Sequence, residues 1–193
     1  MKKILLVIVA VIGLSLNAQQ KGNIEFGIGA GMSPFIEDGV VIFNVGGSAD
    51  YYFSDRWSVK AKLAFDRKGW LFEGTTSPGV TFEYVAYANY LTLPVMANWH
   101  FGGKRNWYLN FGPYAGVLLN AKYNDFEENL TDDFDTFDFG IAAGVGVKIP
   151  VSDKLKIFIE YEGLYGVVSV TEIWKGDTST GRETLNVGVN FML

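Results

Sequence analysis

The sequence predicts an all-β fold: an eight-stranded antiparallel up-and-down transmembrane β-barrel. Three observations carry this. Apolar residues recur at every second position through eight segments, tight and long connections alternate between those segments, and the second face of the segments is rich in glycine.

The chain of 193 residues opens on a leader. Lys2 and Lys3 give a basic start, and Ile4 to Leu16 form an apolar stretch shorter than the roughly 20 residues of a membrane helix. Leu16-Asn17-Ala18 offers a small residue at a cleavage point, so residues 1–18 read as a cleaved signal peptide and 19–193 as one barrel domain. With no cysteine, a lipid anchor at the cleavage point, a disulfide framework and thiolate metal sites are excluded. The formal net charge is -5, and -7 once Lys2 and Lys3 are removed, which with no basic stripe excludes nucleic acid as a partner. No later run is long enough for a membrane helix, so a bilayer could be crossed only by a closed barrel that satisfies every backbone group.

Strands are expected near 24–33, 41–53, 57–69, 85–101, 107–120, 137–150, 155–168 and 183–193. In Trp57 to Asp66 the odd positions are apolar and the even ones polar or small. Leu91 to Phe101 alternates more loosely, because Pro94 and Met96 fall on the second face, and Leu185 to Leu193 alternates to its end. Tight turns fall at Ser54-Asp55-Arg56, at 102–106 and at Ser152-Asp153-Lys154, the first and third both centred on Asp. Long connections are expected near 70–84, 121–136 and 169–182, with a short one near 34–40. This gives one tight, periplasmic end carrying both termini and one ragged, outer end.

Alternation suits a soluble lipocalin-like carrier as well as a membrane barrel, and the second face decides between them. Gly27, Gly29, Gly31, Gly46, Gly112, Gly116, Gly140, Gly144, Gly146 and Gly188 all fall on it. Glycine weakens a water-facing strand, whereas a narrow eight-stranded interior needs small residues. Phe53, Trp57, Trp99, Phe101 and Trp107 flank the tight turns, with Tyr87, Phe139 and Tyr165 toward the other end, as two bilayer interfaces would select.

Three stretches then carry a family likeness. Tyr90-Leu91-Thr92-Leu93-Pro94-Val95, with Trp99-His100-Phe101, resembles the fourth-strand signature of the PorT-like outer-membrane β-barrel family. Tyr108 to Leu119 resembles that family's next strand, and Phe137-Asp138-Phe139-Gly140 leading into Gly144-Val145-Gly146 is similar to its sixth. The resemblance spans essentially the whole mature chain. It implies the outer membrane of a Gram-negative cell, and for some members a part in protein secretion. Glu160-Tyr161-Glu162-Gly163 departs from it, since relatives often carry a basic residue there.

Asp50, Lys60, Lys62, Asp66, Lys148, Lys156, Glu160 and Glu162 face the interior by parity, and mixed signs imply a salt-bridged plug, with Lys148 paired to Glu160 or Glu162. A narrow transport pore is the functional alternative. A lipid-active enzyme would need a nucleophile and a base at the outer end. The sole histidine, His100, sits instead beside the tight turn at 102–106, with no serine partner evident on a neighbouring strand. No catalytic, cofactor or metal residue is therefore assigned. Asp125, Glu127, Glu128, Asp132, Asp133, Asp135 and Asp138 form an acidic loop opposed by Lys122, without the central glycine of a calcium loop; a solvated loop is expected. Trp70, Leu71 and Phe72 in the second long loop could touch a partner or the lipid surface. Gly27-Ile28-Gly29-Ala30-Gly31 lacks the spacing and helix of a dinucleotide site, and Asn129-Leu130-Thr131, a formal glycosylation triplet, carries little weight. The expected role is structural or surface-interacting, with outer-membrane lipid and lipopolysaccharide as surroundings and an envelope or secretion protein as partner through the outer loops.

Overall fold

The computed structural model describes residues 21–34, 40–76, 79–123, 130–169 and 179–193. The expected signal peptide, 1–18, lies outside them. The strands are β1 (Ile24–Met32), β2 (Phe43–Tyr52), β3 (Trp57–Thr76), β4 (Val80–Phe101), β5 (Trp107–Tyr123), β6 (Phe137–Pro150), β7 (Leu155–Ser169) and β8 (Ser179–Met192). Each pairs antiparallel with its chain neighbours, and β1 closes on β8 through Glu25 opposite Met192 to Met32 opposite Leu185. Over that stretch closure leaves no sheet edge, the condition for placing strands in hydrocarbon.

The tight end forms as expected. The Ser54 hydroxyl accepts from the amides of Arg56 and Trp57, and Ser152 accepts from the amide of Leu155, so the two Asp-centred turns share one device. Gly102 supplies a positive φ of 84° in the second turn, at 102–106, and Arg105 there reaches Asp55 of the first at 3.2 Å. The other end departs from the sequence reading. Of the loop expected at 70–84, residues 70–76 and 80–84 are strand: β3 and β4 stay paired from Gly69 opposite Tyr87 to Thr76 opposite Val80. Hairpin pairing continues there although the period-two pattern fades. The connection at 121–136 includes a short 3-10 turn, Thr131–Asp133.

Side chains sort by face. Ile28, Leu63, Ile141 and Val187 are exposed on the outer wall, whereas Lys68, Asp138 and Glu162 are fully buried inside. This is the reverse of a soluble carrier. The glycines make room for interior rings: a Cβ on Gly146 would lie 2.4 Å from Tyr108, and one on Gly140 2.1 Å from the Tyr165 carbonyl and 2.6 Å from Tyr114. The nine residues of β1, at roughly 3.3 Å each and tilted about 40°, rise about 23 Å, close to the apolar band of such barrels. Trp57, Trp99 and Trp107 ring its tight end, with Trp57 6.4 Å from Trp99, and Phe137 and Phe139 stack on the outer side. Tyr87 does not belong to that ring. It is buried with Val40 and Val85, and its hydroxyl accepts from the Val41 amide.

Candidate functional site in the barrel interior and its outer mouth

Alternation delivers one residue in two from each strand to the interior, and these form a continuous polar column. Nearest the tight turns, the three protons of the Lys148 ammonium go to Glu25 at 2.6 Å, Asp50 at 2.8 Å and the Tyr52 hydroxyl at 2.9 Å. Lys156 binds the other Glu25 oxygen, and Asn98 donates to Asp50. In the middle, Lys60 meets Glu160 at 2.7 Å beside Asn110, and Lys62 meets Glu162 at 2.9 Å. Toward the outer end Arg182 bridges Glu162 and Asp66, and Lys68 pairs with Asp138, which also takes hydroxyls from Tyr114 and Thr180.

Six acids (Glu25, Asp50, Asp66, Asp138, Glu160, Glu162) and six bases (Lys60, Lys62, Lys68, Lys148, Lys156, Arg182) are buried among the described residues, so the column is neutral. Every one has an opposite charge in contact. That balance is what buried charge requires. The cavity beside Lys60, Glu160 and Phe158 measures about 10 Å³, at most one water.

The eight interior charges expected from sequence are all inside, but their pairing differs. Lys148 binds Glu25 and Asp50 rather than Glu160 or Glu162, because long side chains reach across the lumen past the adjacent strand. Asp138 belongs to this column and not to the acidic loop, since β6 begins at Phe137 and parity turns the next residue inward. Glu25, Lys68 and Arg182 were missed. The first two continue visible parity, Glu25 with Gly27 and Lys68 with Asp66, while Arg182 sat in an expected loop that is β8. Asp132 and Asp135 are exposed; Asp125, Glu127 and Glu128 lie outside the described residues. Among the described residues no group of His, Asp or Glu is gathered as a metal site.

His100 does have a serine neighbour: Ser58 Oγ lies 3.2 Å from its Nε2. The geometry is not that of an activated nucleophile. Ser58 donates to Asp50, so the imidazole donates to the serine oxygen, and Nδ1 has no partner among the described residues. A relay needs the carboxylate on the imidazole, not on the serine.

The outer mouth is uneven. β1 stops at Met32 while β8 runs on to Ser179, so beyond Met32 no strand among the described residues stands beside β8. A cavity of about 380 Å³ opens there, lined by Val40, Ile42, Leu71, Tyr165 and Glu183 among others.

A closed antiparallel barrel with an apolar wall, aromatic borders and a neutral polar lumen is a transmembrane barrel of the outer-membrane type. The chain belongs to the outer membrane protein beta-barrel domain family, whose model matches residues 17–172, and its location is the outer membrane. No curated protein matches the chain. Among solved structures it is similar to a major outer membrane protein from Thermus thermophilus, at 14% identity and TM-score 0.55 over 88% of this chain and 99% of that one. It is similar to the outer membrane protein OprG from Pseudomonas aeruginosa, at 13% identity and TM-score 0.52 over 91% and 98%. It also aligns with Ail, the attachment invasion locus protein of Yersinia pestis, solved with the heparin analogue sucrose octasulfate, at 21% identity and TM-score 0.49 over 90% and 100%. These likenesses are of fold.

Proposed function

We propose that this chain is a closed, non-conducting barrel, made from a precursor whose residues 1–18 are removed, that acts through its outer end in a structural or surface-interaction role. The observation that carries this reading is the lumen: six acids and six bases paired across it, with a mid-lumen cavity beside Lys60 and Glu160 of only about 10 Å³. An ion moving through would have to part those pairs in sequence, and exposing a buried charge unpaired costs several kcal/mol. What remains free to act is the outer mouth and its connections. The Ser58–His100 contact points away from catalysis, with the serine proton on Asp50. The motifs at Tyr90–Val95 and Tyr108–Leu119 favour a PorT-like member from a Gram-negative envelope, in contact with lipopolysaccharide and with an envelope or secretion protein.

The test is conductance. Residues 19–193, folded in detergent and confirmed by a mobility shift between unboiled and boiled gel samples, are inserted into a planar bilayer. The expected record is flat; steady single-channel steps would overturn the reading in favour of a narrow pore.

A further inference from the structure

Above Met32 the described residues place no strand beside β8. Ser179–Thr184 of β8 are joined to β7 along one side, and along the other they pair with no strand among the described residues. An unpaired strand edge presents a row of amide and carbonyl groups that templates another extended chain. Beside this edge lies the 380 Å³ cavity, with Val40, Ile42 and Leu71 as its apolar wall. Its opposite rim carries a fixed negative charge. Glu183 accepts the hydroxyls of Tyr161 and of Tyr165, the latter at 2.8 Å, which anchors the carboxylate at the cavity mouth. Arg182 below brings no free positive charge, being held by Asp66 and Glu162.

An acyl chain and a peptide would both fill an apolar slot, and two observations separate them. Lipid cannot satisfy the backbone groups of Ser179–Thr184 that no described strand pairs, whereas an extended chain can. The surroundings are also acidic. Among the described residues, the outer connections and strand ends carry Glu73, Glu83, Asp132, Asp133, Asp135 and Glu183 against Arg67 and Lys122. That field disfavours a phosphate-bearing headgroup and favours a cation.

We propose that the outer edge of β8, Ser179–Thr184, together with the Val40–Ile42–Leu71 cavity, is a docking site for an extended basic peptide segment of a protein partner. The segment adds a strand to β8, places an apolar side chain in the cavity and sets a Lys or Arg against Glu183. This rests on the surface-interaction reading and names the partner's chemistry.

The probe is a fluorescent nine-residue peptide alternating lysine and valine, with blocked ends, titrated into the folded protein in maltoside micelles. Saturable binding is expected. It should weaken at least roughly tenfold with N-methylated alternate amides, with glutamate replacing lysine, or in Glu183→Gln, whose folding the gel shift verifies. Amide resonances of Thr180, Gly181 and Arg182 should move with saturation. Equal binding of the N-methylated peptide, or shifts confined to other strands, would overturn the proposal. So would a decyl-chain amphiphile that moves those amides while the peptide does not, which would make the slot a lipid site. A flat conductance record with no peptide binding would sink this proposal and leave the broader reading standing.

Discussion

At the level of single residues, the lumen is a set of choices between paired and orphaned charge. Lys68 and Asp138 are both fully buried and in contact. Lys68→Met would leave the Asp138 carboxylate with the Tyr114 and Thr180 hydroxyls alone, at a cost of about 3–5 kcal/mol. Lys68→Met with Asp138→Asn removes both charges and keeps those hydroxyl partners, so it should recover at least half of that loss. Urea unfolding in lipid vesicles measures both variants; a double variant no more stable than the single would show that charge pairing is not what holds the site. Which face each residue takes was legible in the sequence. Lys60, Lys62 and Asp66 share parity with Ala64, and Glu25 shares parity with Gly27 and Gly29. Partners were not legible. Lys60 and Glu160 stand 100 positions apart, and Lys148 and Glu25 123. Contacts across a lumen depend on strand tilt and stagger, which alternation alone does not specify.

At the level of elements, strand existence followed from period two, and strand length did not. Phe43, the first residue of β2, lies opposite Arg67, yet β3 and β4 stay paired beyond that point, from Lys68 opposite Ala88 to Thr76 opposite Val80. A hairpin propagates along its partner without needing a buried face. Prolines show how ladders tolerate interruption: the β3–β4 register lapses between Ala61 and Ala64, opposite Pro94, and the β4–β5 register lapses between Pro94 and Ala97, opposite Pro113. A proline there removes one ladder bond, and the closed sheet bridges it. The mid-strand lipid face is less forgiving. Ile28 is the central residue of β1 and 60% exposed, so Ile28→Arg should cost about 2–4 kcal/mol in reversible unfolding from a bilayer. Ile28→Leu should be neutral. An arginine at this position that costs nothing would mean that β1 does not cross the hydrocarbon.

For the whole molecule, neutral lumen pairing pushes the entire net charge to the ends, and the ends differ in sign. Among the described residues Lys21, Arg56, Lys104, Arg105 and Lys154 outnumber Asp55 and Asp153 at the tight end, whereas Glu73, Glu83, Asp132, Asp133, Asp135 and Glu183 outnumber Arg67 and Lys122 at the outer end. A leaflet of phosphate-bearing glycolipid at that end would therefore meet a rim of its own sign. Within the screening length of about 8–10 Å at physiological salt, that repulsion is felt unless a divalent cation bridges carboxylate and phosphate oxygens. Insertion of the folded protein into vesicles containing lipopolysaccharide should consequently rise several-fold when millimolar Mg²⁺ replaces chelator, with no such rise in phosphatidylcholine vesicles. Asp132 and Asp135 are exposed on the rim, and Asp132→Asn with Asp135→Asn should shrink the Mg²⁺ dependence without altering the gel shift that reports the closed barrel. If the chelated and Mg²⁺-loaded samples insert alike, the rim carboxylates do not face the phosphates. The aromatic and aliphatic wall would then account for the lipid contact without help from the ends.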